Sequence, residues 1–138
     1  MLLGRFKVEV ITEQGETIRQ EEVNNIITLQ GLEYIARNIA SSNPVTLGYL
    51  VLSDTDDPPA LDETELAGNL QASAATVQVD GSKVTWSAVF FPVQVTVRRL
   101  GICVNSNGTG LFATTVVNQM SLPSWVKLKV SYVLELLP

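Results

Sequence analysis

The run Leu47-Gly48-Tyr49-Leu50-Val51-Leu52-Ser53 is apolar at odd and even positions alike. A strand of that kind is covered on both faces, so the chain must build two layers around it. The segment that follows, Asp54 to Leu66, carries Asp54, Asp56, Asp57, Asp62, Glu63 and Glu65 and the Pro58-Pro59 pair, with neither a helical nor a strand period. It is expected to cross the surface, where its backbone and charges stay hydrated.

Other segments alternate with period two. Phe6, Val8 and Val10 oppose Arg5, Lys7 and Glu9, the pattern of a half-buried strand. Gln14-Gly15 marks a turn, and Glu16 to Val23 returns as a mostly polar strand. This first hairpin, residues 1–24, reads either as a sheet edge or as an arm reaching a neighbouring subunit. Asp80-Gly81 joins Leu70–Val79 to Lys83–Phe90 as a hairpin, because glycine supplies the positive φ of a tight turn. Phe91-Pro92 is a bend, Val95–Val104 and Leu111–Val117 are strands, and Trp125–Leu137 alternates through Val126, Leu128, Val130, Tyr132, Leu134 and Leu136.

One helix interrupts the strands. Thr28 is placed to cap it, and Leu29, Leu32, Ala36 and Ile39 recur at three- and four-residue spacing as an apolar stripe expected to pack on the core. The helix is expected to close an open end of the strand layers. The fold class that follows is mainly β, a β-sandwich or jelly-roll-like domain with one short α-helix, residues 1–138 forming one domain whose body is 25–138. At 138 residues the chain is long enough for one core and too short for two.

The formal charge of −5 argues against nucleic acid or an anionic membrane as partner. There is no histidine, which removes the usual base of a nucleophilic pair and imidazole metal ligation. The single Cys103 cannot form an internal disulfide and sits in the apolar run Leu100-Gly101-Ile102-Cys103-Val104, as a small buried hydrophobe does. Met1-Leu2-Leu3-Gly4-Arg5 lacks the apolar run of a signal peptide, and no stretch is long enough to span a bilayer.

The acidic segment is the one cluster that invites chemistry. Asp54-x-Asp56-Asp57 resembles the start of a calcium loop, but Pro59 stands where the EF-hand turn needs glycine, so no metal or other cofactor is expected. Asn107-Gly108-Thr109 formally matches a glycosylation acceptor and reads more simply as a turn. Arg98-Arg99 is either a solvated strand face or a contact for an acidic neighbour, such as the acidic segment of another copy. Trp86 and Trp125 fall in strand patterns and are expected in the core.

With these residues laid out, the chain resembles small bacteriophage virion proteins described as tail-fibre, head-fibre or decoration proteins. The similar stretches are Asn25-Ile26-Ile27-Thr28 with Gly31-Leu32 and Ile35-Ala36; Tyr49 to Thr55 with Pro58 to Leu66; Val84 to Phe90; Gly101-Ile102; Leu111-Phe112-Ala113; and the amphipathic last strand. Two positions depart from the pattern: Arg99, where an acidic residue is common, and Ser53-Asp54-Thr55-Asp56, where the turn is glycine-rich. The resemblance implies a non-enzymatic, multi-copy part of a virion assembled in the host cytoplasm, with a β-sandwich body. A capsid decoration (cement) protein, with the major capsid protein and other copies of itself as partners, is the first expectation. A tail or baseplate adaptor, or a host-recognition module meeting tail proteins or a host surface receptor, is the second. The contact residues expected on either reading are Phe6, Val8, Val10 and Ile18 of the hairpin, Asp54, Asp56 and Asp57 of the acidic loop, and Arg98 and Arg99.

Overall fold

The alternating segment at the N-terminus becomes β1 (Leu2–Ile11), which turns at Gly15 (φ +82°) into β2 (Thr17–Asn24). After β3 (Ile26–Ile27) comes α1 (Leu29–Ile39), then β4 (Tyr49–Ser53), β5 (Leu70–Ala74), β6 (Thr76–Asp80), β7 (Lys83–Phe90), β8 (Val97–Cys103), β9 (Leu111–Met120) and β10 (Lys127–Leu136). The computed structural model describes every residue from Met1 to Pro138. The strands form two five-stranded antiparallel sheets, ordered β2-β1-β10-β7-β6 and β3-β9-β8-β4-β5. Their apolar faces pack together, which makes the molecule mainly β and a β-sandwich.

Register explains why those faces are apolar. Val130 of β10 lies opposite Val8 on one side and Ala88 on the other, and Tyr132 opposite Phe6 and Trp86. In the second sheet Leu50 lies opposite Ile102, and Leu52 opposite Leu100. Each of these large aliphatic side chains is buried, and burying one fully stabilises by about 1.5–3 kcal/mol. Tyr132 is the centre of the layer, with the Phe6 ring 4.8 Å away and the Trp86 and Phe112 rings at 6.0 Å. Asn25 Nδ2 donates to its hydroxyl (3.1 Å), so the phenol is buried with its polar end satisfied.

β4 is paired on both edges, by β8 and β5, and is buried along almost its whole length. Leu50 and Leu52 enter the main core, while Val51 on the opposite face joins Leu66, Cys103 and Leu111 in a smaller cluster. The segment expected as one strand over Leu70–Val79 divides at Ala75, whose N–H donates to the Gly48 carbonyl (2.9 Å). β5 belongs to one sheet and β6 to the other, so the chain turns a corner of the sandwich there. Trp86 packs against the core, but Trp125 lies outside β10 and is half exposed.

The helix sits where the sequence places it and presents a different face. Thr28 caps it, accepting from Gly31 N (2.9 Å) and donating to the Leu111 carbonyl (2.7 Å), which ties the helix start to β9. Gly31 is the one fully buried residue of α1. A Cβ there would stand 2.3 Å from the Phe112 carbonyl oxygen, so only glycine lets the helix lie this close to the β9 backbone. Tyr34 and Ile35, neighbours of that face, reach the core. The stripe Leu29, Leu32, Ala36 and Ile39, expected to be buried, instead faces away and is exposed. The glycine approach and the buried cap, not the aliphatic spacing, set the helix rotation. No helix is long and apolar enough to cross a membrane.

Candidate functional site: an acidic strap and an apolar helix face

The hairpin residues expected as contacts divide. β1 is paired along its full length with β10 as well as with β2, which carries its apolar side over the second sheet. Phe6, Val8 and Val10 are therefore core residues, 0–3 % exposed, and cannot meet a partner. The hairpin is part of the body and not a projecting arm. Ile18, on the edge strand β2, is 55 % exposed and is the one apolar side chain of the expected set open to a partner.

The acidic segment 54–69 is a strap tied across the outer face of the β8–β4 pair. Leu66 plugs into the small cluster of Val51, Cys103 and Leu111. Backbone bonds run from Leu66 N to the Gly108 carbonyl (3.0 Å) and from Leu111 N to the Thr64 carbonyl (3.1 Å). Asn107 Oδ1 accepts from Thr109 N (3.1 Å), and Gly108 has φ +84°, so this tripeptide is the turn against which the strap rests. At the start of the strap, the Asp54 carboxylate accepts from Asn69 N (2.7 Å) and Asn69 Nδ2 (2.8 Å). Those bonds to the ionised form lower its pKa below the usual aspartate value. The Ser53 hydroxyl bonds the Ala67 carbonyl from beneath.

Glu63 supplies the central tie. Its carboxylate takes two bonds from Arg99, Nη2 to Oε1 at 2.8 Å and Nη1 to Oε2 at 3.1 Å, in the fork geometry that makes such pairs strong. Arg99 Nη2 also donates to Thr114 Oγ1 (2.8 Å), whose hydroxyl donates onward to the Leu100 carbonyl (2.8 Å). The Arg99 side chain is 1 % exposed and that of Glu63 19 %, while Arg99 Nε is buried without a partner. Arg99 is thus neither on a solvated face nor free for another copy: its acid lies in its own chain. Arg98 is only half-buried and its guanidinium stands 3.4 Å from the Asp54 carbonyl. The structure ties Asp54 to Asn69 and Arg98 and, separately, Arg99 to Glu63 and Thr114, and leaves Asp56 and Asp57 exposed. Sequence reading missed Glu63 as the partner, although an arginine inside an apolar strand is itself a signal that a carboxylate must be buried with it.

No three His, Cys, Asp or Glu side chains come together to hold a metal ion. Burial pushes the Cys103 thiol up to about 12, far from the thiolate a nucleophile needs. The apolar surfaces are another matter. Beside the exposed stripe of α1, a groove of about 360 Å³ runs between the helix and the end of the sandwich, lined by Tyr34, Ile35, Ile39, Val77, Trp86 and Leu136 among others. Val77 and Val79 lie on the inward side of β6, opposite Trp86 and Val84, yet are 49 and 71 % exposed, because the second sheet does not reach over them. Both surfaces are apolar and open to solvent.

No protein-family model, no curated protein and no solved structure matches this chain.

Proposed function

We propose that the chain is a non-enzymatic structural protein of a bacteriophage particle, a decoration (cement) protein that docks on the assembled head lattice. The observation that carries this reading is the exposed apolar surface on α1 and along the neighbouring groove, left over after the core is complete. Surface of that kind on a small domain marks a protein contact. It joins the resemblance to virion proteins, whose quoted stretches include the helix itself. The strap adds to it: charge that could have been mobile is tied down by Glu63 and Leu66, giving a rigid body suited to bridging subunits. A protein that binds only the assembled shell shifts the assembly equilibrium towards the shell.

The test is a cryo-electron-microscopy map of the particle that carries the protein. Density over the joints between capsid subunits, with α1 facing the shell or a neighbouring copy, is the expected result. Density restricted to the tail replaces this reading with that of an adaptor or host-recognition module.

A further inference from the structure

Consecutive residues of a strand point to opposite faces of the sheet, yet Arg98 and Arg99 of β8 line one cavity, of about 330 Å³. The ladder explains it. Between β8 and β9 the register passes from Val97 opposite Met120 to Arg99 opposite Val116, so Val117, Asn118 and Gln119 stand against Arg98 alone. A bulge of this kind breaks the pairing and re-aims side chains. The cavity opens at the break, beside the start of the strap, with Val116, Gln119, Thr55 and Asp56 on its wall.

Both arginines are left with donors to spare. Arg98 is the one arginine of the five that forms no ion pair, and its guanidinium makes a single long bond, to the Asp54 carbonyl (3.4 Å). A guanidinium carries five N–H donors, so the rest of its fork is open. The Arg99 side chain is 1 % exposed, and its Nε has no partner. Glu63 takes the Nη1–Nη2 edge of that guanidinium, and Nη2 gives its second proton to Thr114 of β9. Nε–H lies on this Nη2 side and so faces β9 too, the strand whose Val116 walls the cavity. A buried donor without an acceptor is costly, and an oxygen brought here relieves it.

We propose that the cavity is a binding site for a carboxylate carried on a short aliphatic stem, the chemistry of a glutamate side chain or of a chain terminus in a partner protein. Arg98 supplies the charge and a planar fork that matches two carboxylate oxygens. The Thr55 hydroxyl accepts from Asp57 N (3.3 Å) and keeps its own proton to donate, and the Gln119 amide adds a further donor. Val116, 49 % exposed, gives the stem an apolar wall for which phosphate or sulfate has no use. Asp54 does not fill the site, because its carboxylate is turned to Asn69 (2.7 and 2.8 Å). Asp56, exposed on the wall, repels the ligand and limits its affinity. The site shares no residue with α1 or its groove and stands independently of the phage reading.

Titration of the isotope-labelled full chain with butyrate, followed by amide and arginine side-chain NMR in a buffer free of carboxylate and phosphate, tests it. Saturable shifts centred on Thr55, Arg98, Val116 and Gln119 are expected, with a Kd of about 1–10 mM, the scale for so small a ligand. Butyramide, which has the same shape without the charge, is expected to bind about tenfold more weakly or worse. R98Q should weaken butyrate about tenfold or more and leave melting near the parent's, since Arg98 is only half-buried and in no ion pair. D56N should tighten it about threefold at low salt. A blocked peptide with one internal glutamate, and a peptide whose only carboxylate is its C-terminus, separate the two sources, the tighter binder naming the one the site takes. Shifts that do not saturate by about 50 mM, butyramide binding as well as butyrate, an affinity unchanged in R98Q or in D56N, or failure of both peptides to bind overturns the proposal.

Discussion

Replacing Glu63 with alanine strips a buried guanidinium of its only carboxylate. Arg99, 1 % exposed, would keep a single bond, to Thr114 Oγ1, with Nε already unpartnered. Removing one member of a buried ion pair costs about 3–5 kcal/mol. The carboxylate is 19 % exposed, so water can enter from its side, and the lower end, about 3 kcal/mol, is expected. For a chain of this length that lowers Tm by about 10 °C. R99M should cost less, about 1 kcal/mol, because it takes the charge away and leaves a carboxylate that can turn to solvent. E63A combined with R99M should then be little worse than R99M alone, a coupling of about 3 kcal/mol. Urea unfolding followed by Trp86 and Trp125 fluorescence measures each value, with an unchanged m-value as the check on cooperativity. A Glu63 variant that loses under about 1 kcal/mol, or less than R99M, would refute the assignment of Glu63 as the buried partner.

Two other predictions follow from the same geometry. Ala for Gly normally stabilises a helix interior by about 1 kcal/mol, but G31A sets a methyl 2.3 Å from the Phe112 carbonyl and is expected to destabilise by about 2 kcal/mol; a chemical denaturation midpoint at or above the parent's would contradict the close approach. Cys103 should be inert to thiol reagents until the chain unfolds. Because the folded thiol titrates near 12 and the unfolded one near its ordinary 9.0, the unfolded chain releases a proton that the folded one holds. Stability is therefore intact below pH 9.0 and falls as pH rises towards 12, by roughly 1.4 kcal/mol per unit. Burial of Tyr132 raises its pKa as well and adds the same sign above pH 10.0. Stability of the parent that is flat across this window, or a C103A slope equal to the parent's just above pH 9.0, would contradict it.

Most strands were legible in the sequence because period two is a property of the extended backbone itself. Val126 to Leu136 alternates, and β10 follows. Thr28, Gly15 and Asp80-Gly81 were legible for the same reason: a cap or a tight turn is satisfied by atoms a few residues apart. The corner at Ala75 was not, since nothing local distinguishes a straight strand from one that changes sheet. The candidate site was legible only in part. Asp54, Asp56, Asp57, Arg98 and Arg99 stood out as charges, but which were free and which were tied together was not visible in their order along the chain.

By itself the sequence determined that this chain would be strands around one core, with a single capped helix and an acidic crossing over the surface. Those outcomes depend on apolar spacing and on side chains bonding their own neighbours in the chain. Only the tertiary structure decided that β1 lies inside its sheet, that Arg99 is buried against Glu63, and that α1 turns Gly31 inward and its aliphatic stripe outward. Each of these is set by atoms from distant segments: the β10 edge beside β1, the strap above β8, the Phe112 carbonyl beneath Gly31. A helix with two apolar sides can bury either one. Here the closer backbone contact chose the side, and that left the other exposed.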